Sequence, residues 1–203
     1  MLAGTATDLV IELLTPDPKC KKEQTDAVVE RTKPITESQA STNQNEFVAL
    51  GFAAKKLGIA PRALAPTCDE YQSVLDAGQS DVLRFLTLIA DVTVRDVTDL
   101  LAKRPASSTI VAYGGALHND ASPRPGRESM SYAGRLQRQA GGSYVEVDLI
   151  VPEFVRDEEP WQSLPWYAAF DRTLARRETS LIVLSPRSYV LVFPHSLPAE
   201  KTP

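Results

Sequence analysis

The 203-residue sequence predicts an α/β fold, with a mostly parallel β-sheet flanked by helices and a C-terminal antiparallel β-hairpin. Short apolar runs typical of strands alternate with longer segments in which apolar residues recur at helical spacing. This alternation favours parallel strands, because a parallel crossover needs a long connection that is usually helical. Near the C-terminus two apolar runs flank the tight turn "SPRS", a pattern typical of an antiparallel hairpin. The length predicts one domain over residues 1–203.

The first predicted strand is "TDLVIELL", residues 7–14, a compact apolar run that contains Glu12. The residues before it include no basic group, and Asp8 interrupts the apolar character, so the start does not resemble a signal peptide. A polar segment follows over residues 19–45. It predicts a surface helix over about residues 22–31, with a loop or flexible segment for the remainder.

The middle of the chain predicts two helical regions. "NEFVALGFAAKKLG" has an apolar stripe at helical spacing and Gly58 as a plausible C-cap. Residues 60–66, "APRALAP", form either a connector or a short strand. Thr67, with Glu70 three residues later, predicts a capping box at the start of the next helix. Helical spacing then continues until Pro105 ends it.

The second clear strand, "STIVAY", covers residues 108–113, and a loop rich in Pro, Gly, Asn and Ser follows it. A short helix is predicted in "ESMSYAGRLQRQAGG", ending at its two glycines. The third strand, "SYVEVDLIVP", alternates strictly between two sets of residues. The expected outward set is Tyr144, Glu146 and Asp148, and the expected inward set is Val145, Val147 and Leu149.

"EPWQSLPWYAAFDRTLARRE" predicts another helical stretch, and "TSLIVLS" and "SYVLVFP" are the two strands of the hairpin. The net charge is −4 without a basic stripe, so we expect no nucleic-acid partner. No apolar stretch approaches the roughly 18 residues of a transmembrane segment. We expect the chain as it stands to be cytoplasmic, and to be exported if a leader peptide was removed.

The two cysteines, Cys20 and Cys68, lack CxxC spacing, which argues against a cysteine-based zinc site. They form one disulfide if the compartment is oxidising, or remain as two free thiols. The sequence favours the free thiols.

His118 is the first candidate for a functional residue. It follows Gly114 and Gly115, which come directly after the predicted strand. Ligands of open α/β sheets bind beyond the carboxyl ends of the parallel strands, and glycine there permits close approach of the backbone. Imidazole binds metals, ligates haem iron or transfers protons. The alternative is an exposed loop histidine bonded to its own turn. Tyr113 is either a ligand or, as we favour, a packed core residue.

Glu12 is the second candidate, because an acid inside an apolar strand is costly to bury unless it is paired or faces a cavity. The alternative is an outward-facing side chain. If the two strands are neighbours, Glu12 and His118 meet and could ligate a metal ion or act as base and orienter. Three further groups are weaker candidates. Glu146 and Asp148 are interpreted as a solvated strand face, and His195 is a histidine near the end of the chain. An aromatic helical face packs the core or lines a pocket: Trp161, Trp166, Tyr167 and Phe170.

The stretch "TIVAYGGALHND", followed by a helix and the strand "GGSYVEVDLIVPE", resembles the haem-binding uptake/Tiki superfamily. That group includes ChaN-like haem-binding proteins, TraB/Tiki proteases and erythromycin esterase-like enzymes. Its late GxxH motif matches the residues from Gly115 to His118, and its early strand with a glutamate matches the strand of Glu12. The strand with a GE-x-x-H-type motif that opens the family pattern has no counterpart in this sequence.

The resemblance implies a crevice that binds a metal ion or haem around His118, Tyr113, Gly114, Gly115 and Glu12. His118 and Glu12 would be both the metal ligands and the catalytic residues of a complete or degenerate hydrolase. The alternative is a binding or scaffold domain of the same fold that has no metal site and no catalysis. Without the family's opening strand, "DLVIELL" would lie at an unpaired sheet edge, which predicts a homo-oligomer formed through that edge.

Overall fold

The structure is a computed structural model that describes residues 6–15, 17–38, 43–78 and 81–196. These residues form two compact units, one ending at Gly142 and the other beginning at Ser143. The expected single domain stays a prediction. None of the described helices combines the length and the apolar character needed to cross a membrane.

The first unit contains a three-stranded parallel sheet, sheet A, in the order β2-β1-β3. Helices lie between and after its strands, which confirms the predicted α/β class. In chain order its elements are β1 (Ala6–Leu14), α1 (Lys22–Ser38), α2 (Asn43–Lys56), β2 (Ala60–Leu64), α3 (Cys68–Asp76), α4 (Asp81–Lys103), β3 (Thr109–Tyr113), α5 (Ala116–Asn119) and α6 (Ala133–Gln139).

Sheet A has two different faces because successive side chains of a strand point to opposite sides. On one face Leu9 and Ile11 of β1 pack against Ala54 and Phe47 of α2. On the other face lie Asp8, Val10 and Glu12, toward α4. The core of the first unit therefore forms on both sides of β1.

Several elements agree with the sequence analysis. β1 and β3 are parallel neighbours, as predicted from the helical material between them. "APRALAP" contains the short strand β2, the second of the two alternatives left open for it. The capping box is confirmed, since the Thr67 hydroxyl accepts from the Glu70 backbone and the Glu70 carboxylate accepts from the Thr67 backbone.

The expectation that β1 lies at a sheet edge is wrong. β1 pairs with β2 on one side and with β3 on the other, from Asp8 to Ile11 in both ladders. Strand β2, within "APRALAP", occupies the side that was expected to be open. The predicted oligomer through an exposed β1 edge therefore loses its basis.

The polar segment at residues 19–45 is more helical than predicted. Helix α1 continues to Ser38 and passes through Pro34, beyond the predicted end near residue 31. Helix α2 already begins at Asn43. Residues 39–42 of the expected loop lie outside the described residues, as do residues 1–5 before β1.

Cys20 and Cys68 form a disulfide, so the preference for two free thiols is wrong. Cys20 follows β1 and Cys68 follows β2, and these strands are parallel neighbours. The carboxyl ends of parallel strands meet at the same edge of a sheet, which brings the two cysteines together. Their separation of 48 residues in sequence gave no sign of this proximity.

The second unit contains sheet B, in the order β4-β6-β5. β5 and β6 are antiparallel, which confirms the C-terminal hairpin, and β4 is parallel to β6. The predicted long helical stretch before the hairpin is broken into short turns, since it contains two internal prolines. The elements of this unit are β4 (Glu146–Ile150), α7 (Glu159–Gln162), β5 (Ser180–Ser185) and β6 (Ser188–Val192), with single turns of 3₁₀-helix at Pro152–Phe154, Tyr167–Ala169 and Leu174–Arg176.

The predicted orientation of β4 is wrong. Glu146 is buried and accepts a hydrogen bond from the Ser188 hydroxyl at 2.6 Å, whereas Val147 and Leu149 are more than 40% exposed. The face of Glu146 continues through Val190 and Val192 of β6, which are fully buried. The alternating pattern predicted the two faces of the strand correctly, but the buried face is the one that carries Glu146. Burial of this carboxylate is possible because Ser188 of the neighbouring strand donates a hydrogen bond to it.

A buried ionic network links three elements of the first unit. Asp8 of β1 is completely buried and is bound by Arg62 of β2 and by Arg104, which follows α4. The Nε atoms of the two arginines lie 2.7 Å from separate oxygens of the carboxylate, and a second Arg104 nitrogen lies 2.8 Å away. The network joins the central strand to its neighbour and to the end of the longest helix.

The arginines also determine the ionisation of Asp8. The hydrogen bond from Arg104 is the largest influence and lowers the pKa of Asp8, burial opposes it, and the bond from Arg62 lowers it further, to about 2. A carboxyl whose pKa is lower in the folded chain contributes stability above its usual pKa of 3.8. That contribution is lost as the pH falls through about 2.

Replacement of Asp8 by Asn should lower the free energy of unfolding at neutral pH by about 2–3 kcal/mol, because it leaves two arginines without their counter-ion. Both arginine side chains are more than a third exposed, so water partly solvates them. The loss of unfolding free energy is therefore small compared with that for a fully buried ion pair. Urea unfolding measures the change. The difference from wild type should shrink between pH 4 and pH 2, where wild-type Asp8 gains a proton.

Asp26→Asn is the matched control, because Asp26 pairs with Lys22 in an exposed contact on α1. This change should cost less than about 0.5 kcal/mol. Equal losses in the Asp8 and Asp26 variants, or a difference that does not depend on pH, would contradict the importance of the network.

Candidate functional site

The candidate site lies at the carboxyl end of sheet A, where β1 and β3 run side by side. Ile11 of β1 is paired with Tyr113, the last residue of β3, so Glu12 is level with the turn that follows β3. That turn consists of Gly114 and Gly115 and leads into the single-turn helix α5, which carries His118. The structure thus brings Glu12 and His118 together at the same end of the sheet, as predicted.

His118 is buried, with 3% of its surface exposed, and is therefore not the exposed loop residue of the alternative interpretation. Its Nδ1 atom lies 2.7 Å from the carbonyl oxygen of Met130. Because a carbonyl oxygen only accepts hydrogen bonds, Nδ1 carries a proton and Nε2 is the nitrogen available to other groups. The His118 carbonyl accepts from the backbone N–H of Tyr132 at 2.8 Å, which fixes α5 as well as the ring.

Glu12 is held by two contacts. Its Oε2 atom accepts a hydrogen bond of 2.7 Å from the backbone N–H of Gly115. Its Oε1 atom lies 3.7 Å from Nε2 of His118, which is close but longer than a hydrogen bond. Burial raises the pKa of Glu12 above its usual 4.5, while the neighbouring His118 and the Gly115 N–H act in the opposite direction. Glu12 and His118 lie close together and are largely removed from water.

Gly114 is required by the approach of the β3 turn to Glu12. A Cβ atom at position 114 would lie 2.2 Å from Oε2 of Glu12 and 3.1 Å from its Cβ. The same atom at Gly115 would lie 3.8 Å from Oε2, an ordinary contact. Of the two glycines, Gly114 is therefore the one whose lack of a side chain allows the turn to pack closely against the Glu12 carboxylate.

Tyr113 borders the same small niche as Glu12, but its ring packs against a different element. Its ring packs edge-on against Phe47 of α2, with ring centres 5.8 Å apart, on the face of Ile11. The niche is also lined by Thr93 of α4 and by Tyr132 before α6, two residues that the sequence did not single out as site residues. Thr93 and Tyr132 are both 3% exposed, and nothing in their local sequence marks them as neighbours of the carboxylate.

Sequence reasoning also missed the residues that hold the His118 loop. Ser131 is buried, and its hydroxyl donates to the carbonyl oxygen of Asp120 at 2.7 Å and accepts from the backbone N–H of Ala133. The carbonyl of Met130 orients the imidazole. These contacts use backbone atoms, and only the polar loop composition hinted at them.

The remaining candidates belong to the second unit. Glu146 is bound to Ser188, and Asp148 of the same strand face is half-buried. His195 lies 3.4 Å from Glu153 and borders a cleft together with Phe170 and two arginines. The four residues of the aromatic face pack with Val155, Val190 and Val192, in agreement with core packing: Trp161, Trp166, Tyr167 and Phe170.

Within the part of the chain that the structure describes, no group of three or more His, Cys, Asp or Glu side chains is arranged to hold a metal ion. Glu12 and His118 could supply two ligands, an oxygen and a nitrogen. Comparisons of the chain with models of protein families, with curated proteins and with solved structures found no match.

Gly114→Ala should destabilise the protein by about 1–3 kcal/mol, because the added methyl group has to displace the Glu12 carboxylate. Gly115→Ala is the matched control and should change stability by less than about 0.5 kcal/mol. Urea unfolding of both variants gives the comparison. Equal effects at the two positions would contradict the close packing described for Gly114.

The stability of the Glu12→Gln variant, measured as the free energy of unfolding, should increase relative to that of the wild-type protein as the pH rises. A carboxyl whose pKa is raised in the folded state contributes stability below its unfolded pKa, near 4.5, and loses it as the pH rises through the folded pKa. Glutamine has no charge to bury, so the variant lacks this loss. Unfolding measured between pH 4 and pH 8 in the presence of a chelator should show a difference that grows with pH, and a constant difference would contradict the raised pKa.

Proposed function

We propose that the carboxyl end of sheet A binds a divalent metal ion between Glu12 and His118. The observation that carries the proposal is the separation of 3.7 Å between Oε1 of Glu12 and Nε2 of His118. Two ligands of one tetrahedral zinc ion lie roughly 3.4 Å apart, given metal distances of about 2.0–2.2 Å. The pair is thus too far apart for a hydrogen bond and close to the spacing of two metal ligands.

The outer contacts of both residues support the same proposal. A metal-binding histidine usually donates its other ring N–H to a carbonyl or carboxylate, and the bond from Nδ1 of His118 to Met130 has this form. Ligating carboxylates are commonly hydrogen-bonded as well, as Glu12 is to Gly115. These two hydrogen bonds support a coordinating role for both side chains.

An ion suits this site better than haem does. His118 is 3% exposed and its Nε2 faces the Glu12 carboxylate, so a porphyrin has no open face on which to approach that nitrogen. A small ion needs no such face. With two protein ligands, the remaining coordination positions would be filled by water or by an oxygen of a bound substrate.

The chemistry that such an ion supplies is activation of a bound water molecule for hydrolysis. This is the activity that the resemblance to the haem-binding uptake/Tiki superfamily implies, in a complete or degenerate form. In that role His118 and Glu12 would hold the ion, and the N–H of Gly115 would keep the carboxylate in place.

The second candidate is a scaffold domain without metal, in which Glu12 and His118 only fix the loop after β3. The burial of His118 and the absence of a third nearby ligand in the described residues favour this candidate. It predicts that substitution of either residue changes stability and nothing else.

Metal binding separates the two candidates. Calorimetric titration of the chelator-treated protein with Zn²⁺, and then with Mn²⁺, should show one site, with affinity at least about 100-fold lower in Glu12→Gln and His118→Ala. A removed ligand should cost at least as much as a removed outer-shell partner. The melting temperature of each variant is measured in parallel to establish that it is folded.

His195→Ala is the matched control, because it removes the only other histidine, which is half exposed in the second unit. It should leave the affinity unchanged. Absence of metal binding in the wild-type protein, or equal loss in the His195 variant, would overturn the metal proposal and favour the scaffold.

A further inference from the structure

Helix α1 lies beside α3, and hydrogen bonds join the two helices at corresponding positions along their lengths. This contact between α1 and α3 is called the seam. Gln24 donates a hydrogen bond of 2.9 Å to the carbonyl oxygen of Cys68 and one of 3.0 Å to the side chain of Gln72. About two helical turns further on, Arg31 donates to the carbonyl oxygen of Leu75 at 2.8 Å. Both helices therefore advance in the same direction along the seam, which begins at the Cys20–Cys68 disulfide.

The described side chains of α1 offer little buried apolar surface to this seam. Among the described side chains of α1, only Val28 is buried, and the others are half-buried or exposed. Helices in proteins are held mainly by the packing of an apolar face, and an isolated helix of this length is marginal in water. Three exposed or part-buried hydrogen bonds add modest stability, because water competes for the same groups. The covalent bond attaches the chain at the start of the seam.

We infer that the Cys20–Cys68 disulfide is a redox-dependent clasp, whose reduction by a dithiol releases α1 from α3 while sheet A stays folded. The sheet has its own attachments, since β1 is paired on both sides and Asp8 binds two arginines. The proposal is independent of metal binding at Glu12 and His118.

The chemistry of the step is thiol–disulfide exchange. A thiolate of the dithiol attacks Cys20, the bond between the two protein sulfurs breaks, and Cys68 leaves as a thiolate. Cys68 is the first residue of α3, where the backbone N–H groups of the helix start stabilise a thiolate. The second thiol of the reagent then attacks the mixed disulfide. Two electrons and two protons pass to the protein, which gains two thiols, and the reagent closes to its own disulfide.

Both cysteines are partly exposed, so a small dithiol reaches them without unfolding the unit. Release of α1 would expose Val28 and the parts of α3 and α4 that α1 covers. The clasp thus couples the redox state of the surroundings to the surface presented by these two helices.

Hydrogen exchange of the whole chain, with and without dithiothreitol, tests the clasp. Amides of α1 should exchange faster by about tenfold or more after reduction, whereas those of β1 and β3 should stay unchanged. Reoxidation should restore the slow exchange. Unchanged protection of α1 after reduction, with free thiols confirmed by mass spectrometry, would overturn the proposal, and so would a loss of protection throughout the first unit.

The double variant Cys20→Ser/Cys68→Ser is the matched control. It should show the fast exchange of α1 at all times, and dithiothreitol should have no further effect on it. If the double variant does not fold, the reversible comparison on the wild-type protein still decides. A double variant that is folded and retains slow exchange in α1 would overturn the proposal.

Discussion

The parallel pairing of β1 with both neighbours depends on a completely buried carboxylate, Asp8, which two arginines neutralise from different elements. A buried charge without a partner would be prohibitively costly, so the strand is stable in this position only when Arg62 and Arg104 are also in place. One arginine comes from the adjacent strand and the other follows α4. The network thereby ties the register of sheet A to the end of the helix that covers it.

The same face of β1 carries a second carboxylate four residues further on, with a very different environment. Glu12 has no arginine within ion-pair distance among the described residues, and its neighbours are a histidine ring and one backbone N–H. The first carboxylate keeps its charge, with a pKa near 2, whereas burial pushes the pKa of the second upward. The two carboxylates on one strand face therefore differ in how their negative charge is compensated.

The sequence predicted the class of fold well because periodicity and turn residues are local signals. β1, β3 and the hairpin follow from apolar runs, and the meeting of Glu12 and His118 follows from parallel strands sharing an edge. Long-range pairings were out of reach. The disulfide depends on β2 lying next to β1, and the burial of Glu146 depends on Ser188, which is 42 residues away. The residues adjacent in sequence to Cys20 and to Glu146 therefore contain no signal that identifies the distant partner.

The position of the disulfide also bears on the order in which the first unit forms. Parallel strands joined by a long crossover are slow to pair, because the loop must close before any contact between them contributes stability. Cys20 and Cys68 lie just after the two strands β1 and β2, so an oxidised chain has this loop closed even when it is unfolded. The effective contact order of the β1–β2 ladder is then low. The pairing of β3 with β1, which assembles the Glu12–His118 pair, remains the distant step.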